Sequence, residues 1–259
     1  MPAALPSLFV TGTDTGVGKT GVTAAIVRTL RRAGESVGAL KPACSGVEPD
    51  GTWGDIEVLV KAVCGPRDNA AALRPLVGPH CFDAPLAPPQ AARLAGRSLS
   101  VDDFDRGRAT WGGRCGRLVV EGVGGLLCPL TDDTVVADLI ARWQMPCVAV
   151  VGLKLGAINH ALLTAEVAAA RGLDLRGWIM NELTPADTPH AAELVAVAAE
   201  DIAARSGRRI LAWRSFGSDT LHASLPTKDA AQRDESPRSA LQPGRPGGTI
   251  DAATIRGWF

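Results

Sequence analysis

Short apolar runs alternate with helical segments along most of the chain, and this alternation constrains the fold more than any other feature. The predicted strands are residues 8–10, 36–40, 117–120, 147–151, 177–180 and 209–213. Each run is short and largely apolar, which indicates strands that are buried on both sides. Strands of this kind that alternate with helices form a parallel sheet with helices on both faces. The sequence therefore predicts a doubly wound α/β fold, which places ligands beyond the carboxyl ends of its strands.

The helical pattern and the polar C-terminus divide the chain into two parts. The predicted helices are residues 19–33, 56–64, 89–94, 101–111, 135–143, 160–171 and 187–205. These elements predict a single domain over residues 1–213. Residues 214–259 are mostly polar and rich in Pro and Gly, which is typical of a disordered tail. The last eleven residues either dock as a short helix or hang free.

Length, charge and cysteine content exclude several classes of protein. A chain of 259 residues suits one α/β domain. Lys and Arg number 27, as do Asp and Glu, so no general basic field exists to hold nucleic acid or an anionic membrane. The N-terminus lacks a signal-peptide pattern, and no apolar run reaches about 18 residues, so we expect a cytoplasmic protein. The six cysteines include no CxxC pair, which argues against a zinc site or a disulfide framework.

A glycine-rich segment between the first strand and the first helix has the pattern of a phosphate-binding loop. It runs from Gly12 to Thr20 and has the sequence GTDTGVGKT. In such loops backbone N–H groups wrap the phosphates, the lysine (here Lys19) reaches the β- and γ-phosphates, and the next hydroxyl, Thr20, binds Mg2+. The strict pattern has glycine where this chain has Thr13, and the alternative is a turn that only joins strand to helix. The context favours a P-loop NTPase-like fold that binds ATP and Mg2+.

Two carboxylates are placed to complete a magnesium site. Glu121 ends the strand at 117–120, so it lies at the carboxyl edge of the sheet beside the predicted loop. Asp55 follows the loop after the second strand and begins a helix, where its alternative role is that of a cap. A P-loop site uses carboxylate oxygens as well as the loop hydroxyl to hold its metal. We therefore predict a metal site formed by Thr20, Asp55 and Glu121.

Five segments together resemble the dethiobiotin synthetase family. They are FVTGTDTGVGKT (9–20), ALKPACSG (39–46), VEGVGGLLCPL (120–130), VVGLKLGAINHALLT (150–164) and GWIMNELTP (177–185), in the family's order. In that family an amine of 7,8-diaminopelargonic acid takes up CO2 to form a carbamate, which attacks the γ-phosphate of ATP. The second amine then displaces phosphate from the carbamic-phosphoric anhydride and closes a cyclic urea. The resemblance implies this reaction here, with ATP as co-substrate and Mg2+ as cofactor.

The resemblance also implies a role for each matching residue. The groups at the reacting atoms would be Lys41, Lys19 and Thr15. The residues that bind the nucleotide and its metal would be Gly16, Val17, Gly18, Lys19, Thr20, Gly21, Asp55, Glu121, Gly122, Val123, Gly124, Asn181 and Glu182, with Asn181 at the adenine. Ser45 would bind the diamine. The substrate's carboxylate tail would meet the second subunit of a homodimer at Leu155, Gly156 and Asn159.

Two other functions share this kind of core. A partitioning-type ATPase switch often carries a signature lysine at the position of Asp14, which argues against that class. An amide ligase of the cobyrinic acid type needs a source of ammonia such as a glutaminase domain, and the residues after 214 are too few and too polar to form one. The chain also departs from the dethiobiotin synthetase pattern. Its last predicted strand leads into RILAWRSFGSDT, without the family's Pro-Trp-Leu-like stretch.

Overall fold

A parallel sheet forms the centre of the computed structural model, which describes residues 5–66, 68–185, 189–223 and 248–259. The strands are β1 (Ser7–Gly12), β2 (Val37–Leu40), β3 (Cys44–Ser45), β4 (Cys81–Phe82), β5 (Arg117–Glu121), β6 (Cys147–Leu153), β7 (Leu175–Glu182) and β8 (Ile210–Arg214). Six of them form the central sheet in the order β2-β5-β1-β6-β7-β8. β3 and β4 form a separate parallel pair.

Every pairing in the central sheet is parallel. β1 lies inside the sheet, so the chain first runs out to the edge strand β2 and then crosses back to finish at the other edge, β8. With right-handed crossovers this order places helices on both faces of the sheet. The predicted doubly wound α/β fold is confirmed. Because the strands are parallel, all six of their carboxyl ends meet at one edge.

The described residues also contain nine helices. They are α1 (Lys19–Arg32), α2 (Gly54–Val63), α3 (Ala70–Val77), α4 (Pro88–Leu94), α5 (Val101–Ala109), α6 (Val136–Trp143), α7 (Ala157–Ala170), α8 (Pro189–Ser206) and α9 (Ala252–Arg256). Within the described residues, no helix combines the length and apolar character needed to cross a membrane. The helical pattern did not predict α3. Pro75 lies inside it, and proline normally interrupts a helix.

Two predicted helix starts were wrong. α2 begins at Gly54 with Trp53 as its cap, so Asp55 lies within the first turn and does not cap the helix. The Asp55 carboxylate instead bonds to side chains of other elements. α7 begins at Ala157, three residues before the predicted start, so Asn159 belongs to the helix and not to the preceding loop. A stretch of two or three residues is too short to show a helical period, which is why the sequence pattern placed both starts late.

The last residues of the chain pack against the body of the domain. His222 forms bridges both to β8 and to Thr249. After α9, which contacts α1, Trp258 is only 2% exposed. The Arg117 guanidinium lies 5.0 Å from the centre of the Phe259 ring. Of the two alternatives for the last eleven residues, the docked short helix is present. Residues 224–247 lie outside the described residues, and the boundary predicted at 213 between domain and tail stays a prediction.

Replacing Trp258 by Ala tests how much this docking stabilises the domain. The change removes a buried aromatic ring, so we expect the free energy of unfolding to fall by about 3 kcal/mol. Thr254→Ala alters an exposed side chain of α9, four residues before Trp258, and should change the free energy of unfolding by less than about 0.5 kcal/mol. Urea unfolding followed by circular dichroism measures both variants. Equal stability of the two would show that the C-terminal residues do not contribute to the core.

Candidate active site

The loop between β1 and α1 has the backbone that phosphate binding requires. Gly16 and Gly18 have φ angles of 73° and 87°, left-handed values that residues with side chains rarely adopt. At Gly12, a Cβ atom would lie 2.8 Å from Val17 Cγ2 and 3.1 Å from Lys19 Cδ. This close approach requires glycine at position 12, one residue before the glycine of the strict pattern. The loop therefore keeps the phosphate-binding geometry despite its irregular sequence.

Lys19 follows the inner side of this loop. Its Nζ donates to the Asp14 carbonyl oxygen at 2.8 Å, and its burial lowers its pKa. The Asp14 carboxylate accepts from Lys154 Nζ at 2.9 Å, and this bond lowers the pKa of Asp14. The loop is thus tied to the residue that follows β6. On its other side, a Cβ on Gly124 would lie 3.7 Å from Thr15 Oγ1, so the segment after β5 lies against the loop.

Thr20, Asp55, Glu121 and Lys41 form one hydrogen-bonded network. Thr20 Oγ1 lies 2.8 Å from both Asp55 Oδ1 and Glu121 Oε1. Lys41 Nζ donates to Glu121 Oε1 at 2.7 Å and also to Asp55 Oδ2. The four side chains come from α1, α2, β5 and the end of β2. The residues predicted as metal ligands are therefore brought together, and Lys41 joins the two carboxylates.

Opposite charges outweigh burial in this network. Burial acts to lower the pKa of Lys41, but the Glu121 and Asp55 carboxylates raise it, and the net pKa lies above the ordinary value. Burial acts to raise the pKa of Asp55, whereas the Lys41 ammonium lowers it, and the net pKa lies below the ordinary value. Lys41 and Asp55 are therefore both charged at neutral pH. Their ion pair is a permanent feature of the site over that range.

The oxygen atoms of this network fit a hard divalent cation. Glu121 is 0% exposed, and its Oε2 has no hydrogen-bond partner among the described residues, which leaves a buried acceptor next to Thr20 and Asp55. Mg2+ binds through one or two carboxylates and takes its other ligands from water and phosphate. The described residues contain no cluster of three or more His, Cys, Asp or Glu that would bind a metal by itself. This donor set therefore suits a cation that is shared with a nucleotide.

Asn181 at the end of β7 and Arg214 at the end of β8 hold these strand ends against the loop. Asn181 Nδ2 donates to the Val17 carbonyl at 3.0 Å, and a Cβ on Gly18 would lie 2.2 Å from that nitrogen. Arg214 Nη1 donates to Asn181 Oδ1 at 3.0 Å, and a Cβ on Gly21 would lie 2.7 Å from the Arg214 Cζ. Arg214 was not among the predicted site residues. It is the first charged residue after an apolar strand, which is the same signal that identified Glu121.

Glu182 is held by the segment that follows Arg214. Its Oε2 accepts from the Phe216 backbone N–H at 2.9 Å, and burial raises the pKa of Glu182. The Glu182 Oε1 atom has no hydrogen-bond partner among the described residues. The Phe216 side chain is 51% exposed. The ends of β7 and β8 therefore form a wall on the side of the loop opposite Lys41.

The residues predicted to bind the substrate lie in two places. Ser45 lies on β3, four residues after Lys41 in the sequence, and is partly buried. Leu155 and Gly156 line a mostly apolar cavity of about 430 Å3 beside the ends of β6 and β7. Leu155 is fully exposed, and Asn159 is exposed in the first turn of α7. The structure thus brings Lys19, Thr20, Lys41, Asp55, Glu121 and Asn181 to one edge, and it leaves Leu155, Gly156 and Asn159 exposed.

One family model and several solved structures are similar to this chain. A family model described as an AAA domain matches residues 6–213. Among solved structures, the MinC:MinD cell division protein complex of Aquifex aeolicus contains a chain that is 14% identical, with 81% of each chain covered and a TM-score of 0.48. A ParA family ATPase from Chlorobium tepidum TLS is also 14% identical, with 83% of this chain and 87% of that chain covered and a TM-score of 0.48.

The doubly wound sheet and the glycine-rich loop define this chain as a P-loop nucleotide-binding protein. The ATP-dependent dethiobiotin synthetase BioD of Xanthomonas oryzae pv. oryzae (strain PXO99A) is 42% identical to it over 182 residues, which are 70% of this chain and 80% of that protein. The protein of the same name from Anaeromyxobacter dehalogenans (strain 2CP-1 / ATCC BAA-258) is 44% identical over 184 residues, 70% of this chain and 79% of that protein. This chain belongs to the ATP-dependent dethiobiotin synthetase family.

Replacing Lys41 by Met tests whether its ammonium stabilises the buried carboxylates. The change leaves Glu121, which is 0% exposed, without its cation, so we expect the free energy of unfolding to fall by about 3 kcal/mol. Lys154→Met is the matched control. It removes an ion pair whose side chains are 41% and 42% exposed, and it should cost less than about 1 kcal/mol. Urea unfolding without Mg2+ or nucleotide measures both, and equal losses would contradict the role given to Lys41.

Proposed function

We propose that this chain is an ATP-dependent dethiobiotin synthetase. It closes the cyclic urea of dethiobiotin from 7,8-diaminopelargonic acid and CO2, and it converts ATP to ADP and phosphate. The observation that supports this best is the convergence of Lys19 and Thr20 of the loop with Lys41 and Glu121 at one edge of the sheet. In a member of this family, that convergence is the arrangement expected for transfer of a phosphoryl group to a carbamate.

The main task of such a site is to offset the repulsion between two negatively charged reactants. The carbamate and the triphosphate are both anions, so their approach must be offset by fixed cations and oriented N–H groups. Lys19 and Lys41 are both buried at the sheet edge, so their ammonium groups are held in place before the substrates bind. Thr15 lies in the same loop, next to the segment after β5. Catalysis then depends on positioning and charge, without a covalent bond to the enzyme.

We assign Mg2+ to Thr20, Asp55 and Glu121. When bound, Mg2+ offsets the charge of the β- and γ-phosphates. Lys41 fixes the orientation of both carboxylates through its two hydrogen bonds. The free Oε2 of Glu121 supports this assignment, because a buried carboxylate oxygen normally has a partner.

We assign the adenine base to Asn181, with Glu182 next to it. An amide offers both a donor and an acceptor, which matches the donor and acceptor on the edge of adenine. Arg214 donates to the Asn181 oxygen, and the Val17 carbonyl accepts from its nitrogen, so the amide cannot turn over freely. Arg214 is therefore a positioning residue for the base, at the point where the chain lacks the family's Pro-Trp-Leu-like stretch.

We assign the diamine to Ser45 and, from a second subunit, to Leu155, Gly156 and Asn159. Leu155 is a fully exposed apolar side chain at the rim of the apolar cavity. Apolar surface of this kind is commonly covered by another protein chain. A homodimer in which each subunit completes the other's substrate site accounts for it. The cytoplasmic location expected from the sequence stays a prediction.

Phosphate release from ATP tests the proposed reaction directly. Purified protein is assayed with Mg2+, bicarbonate and 7,8-diaminopelargonic acid, and each component is omitted in turn. We expect release to require the diamine, bicarbonate and Mg2+, with the cyclic urea as product by mass spectrometry. Lys41→Ala should abolish it, because the ammonium that offsets the two anions is lost. Release that does not require the diamine would contradict the synthetase assignment and favour an ATPase switch.

Arg214→Met tests the assignment of the base. Without the guanidinium, Asn181 loses a hydrogen bond that fixes its amide, so we expect KM for ATP to rise about tenfold while kcat changes much less. Arg208→Met is the control, since Arg208 donates instead to the Leu175 carbonyl at the other end of β7. Steady-state kinetics with varied ATP measures both variants. A fall in kcat with an unchanged KM for ATP would contradict the proposed role.

A further inference from the structure

Two cysteines face each other on the small sheet close to Lys41. Cys44 of β3 and Cys81 of β4 are registered partners in a parallel pair. The Cys44 N–H donates to the His80 carbonyl at 2.8 Å, which fixes this register. Neighbouring strands lie about 4.8 Å apart, which is within the range of about 4.4–6.8 Å that Cα atoms of disulfides span. The backbone therefore already allows a bond between these two sulfur atoms.

The two thiols differ in exposure and in acidity. Cys44 is 4% exposed, whereas Cys81 is partly exposed. The neighbouring Cys44 thiol lowers the pKa of Cys81, whereas the neighbouring Cys81 thiol together with burial raises the pKa of Cys44. An accessible thiol with more thiolate character reacts first with an oxidant. Cys81 thus suits the first attack, and Cys44 suits the second.

We propose that Cys44 and Cys81 are a site of reversible disulfide modification that lowers turnover. The Cys81 thiolate attacks hydrogen peroxide, the O–O bond breaks, and a sulfenic acid and one water form once a proton is taken up. The Cys44 thiol then attacks the Cys81 sulfur, the S–S bond forms, the S–O bond breaks, and a second water leaves. Two thiols are oxidised by two electrons, and one peroxide is reduced to two waters. A thiol reductant reverses the modification by exchange.

The disulfide affects the site because β3 adjoins it. A disulfide bond is about 2.05 Å long, which is shorter than any contact between two thiols, so its formation moves the Cys44 and Cys81 side chains and ties β3 covalently to β4. Ser45 follows Cys44 directly, and Lys41 lies three residues before Cys44. Misplacement of a reacting group by about 1 Å can cost about a hundredfold in rate. This loss of turnover rests on the proposed function, whereas the disulfide itself does not.

The other four cysteines have different surroundings. The thiols of Cys64, Cys115 and Cys128 donate to backbone carbonyl oxygens, as the Cys81 thiol also does to that of Gly78 at 3.4 Å. These three cysteines, however, lie outside the described strands and are not paired in register with another cysteine, as Cys44 and Cys81 are. Cys147 lies within β6, where burial raises its pKa to about 12. Its registered partners on the neighbouring strands are Phe9 and Leu175. Oxidation should therefore be selective for the pair on β3 and β4.

Mass spectrometry and kinetics of the full chain test this proposal. The protein is treated with hydrogen peroxide, its remaining thiols are blocked with N-ethylmaleimide, and its peptides are mapped without reduction. We expect a peptide pair linked through Cys44 and Cys81, and blocking of the other four of the six thiols. The linked protein should show a fall in kcat/KM of about tenfold or more, and dithiothreitol should restore it. Cys81→Ser, which lies outside the proposed site residues, should keep its activity within about twofold and resist the oxidant.

Control variants separate the proposed effect of the disulfide from a loss of folding or of activity. Cys64→Ser should respond to peroxide as the unmodified sequence does, and Cys81→Ala replaces Cys81→Ser if the latter fails to fold. No bond, or a bond between other cysteines, would overturn the proposal. A disulfide that leaves kcat/KM unchanged would overturn the effect on turnover. If the reduced protein has no synthetase activity, the proposed function fails, and the linked peptide still decides whether the modification site exists.

Discussion

The ion pairs of Lys41 with Glu121 and Asp55 are the interaction on which the rest of the site depends. Glu121 ends β5 with 0% exposure, and an uncompensated carboxylate in such a place costs several kcal/mol. β2 and β5 are neighbours in the sheet, so the residue after β2 lies next to the end of β5. The same ammonium reaches Asp55 on α2, and Thr20 adds α1 to the network. Lys41 and the residues bonded to it thus join β2, β5, α1 and α2, which are separate in the sequence.

The local backbone explains why Lys41 can take this position. Pro42 holds the residue before it in an extended conformation, and the Lys41 N–H donates to the Val77 carbonyl at 2.7 Å. The side chain therefore leaves the strand end in a fixed direction. An ammonium group has three donors around a compact charge, so it can bond to two carboxylates that approach from different sides. The planar guanidinium of an arginine would favour one carboxylate in a bidentate pair and would separate Asp55 from Glu121.

How much could be predicted followed from the kind of signal each feature leaves in the sequence. The six long strands and Glu121 were predictable, because apolar runs have a clear length and a charge at their end stands out. β3 and β4 were not, because two-residue strands have no period. The prediction that Asp55 caps a helix was wrong because Lys41, from another part of the chain, binds its carboxylate. The Asn181 bond to Val17 joins residues 164 positions apart and depends on the complete sheet. Arg214 ends an apolar strand with a charge, as Glu121 does, so it could have been predicted from the same signal.

The balance of charges around the loop explains why a bound cation would help the site to bind a triphosphate. The named cations there are Lys19, Lys41 and Lys154, and the named anions are Asp14, Asp55 and Glu121. Their formal charges cancel, so these side chains alone do not attract a polyanion. Affinity for a triphosphate must then come from the loop N–H groups and the start of α1. A divalent cation at Asp55 and Glu121 would give the site a net positive charge. Metal and nucleotide would therefore each strengthen the binding of the other, and neither would bind well alone.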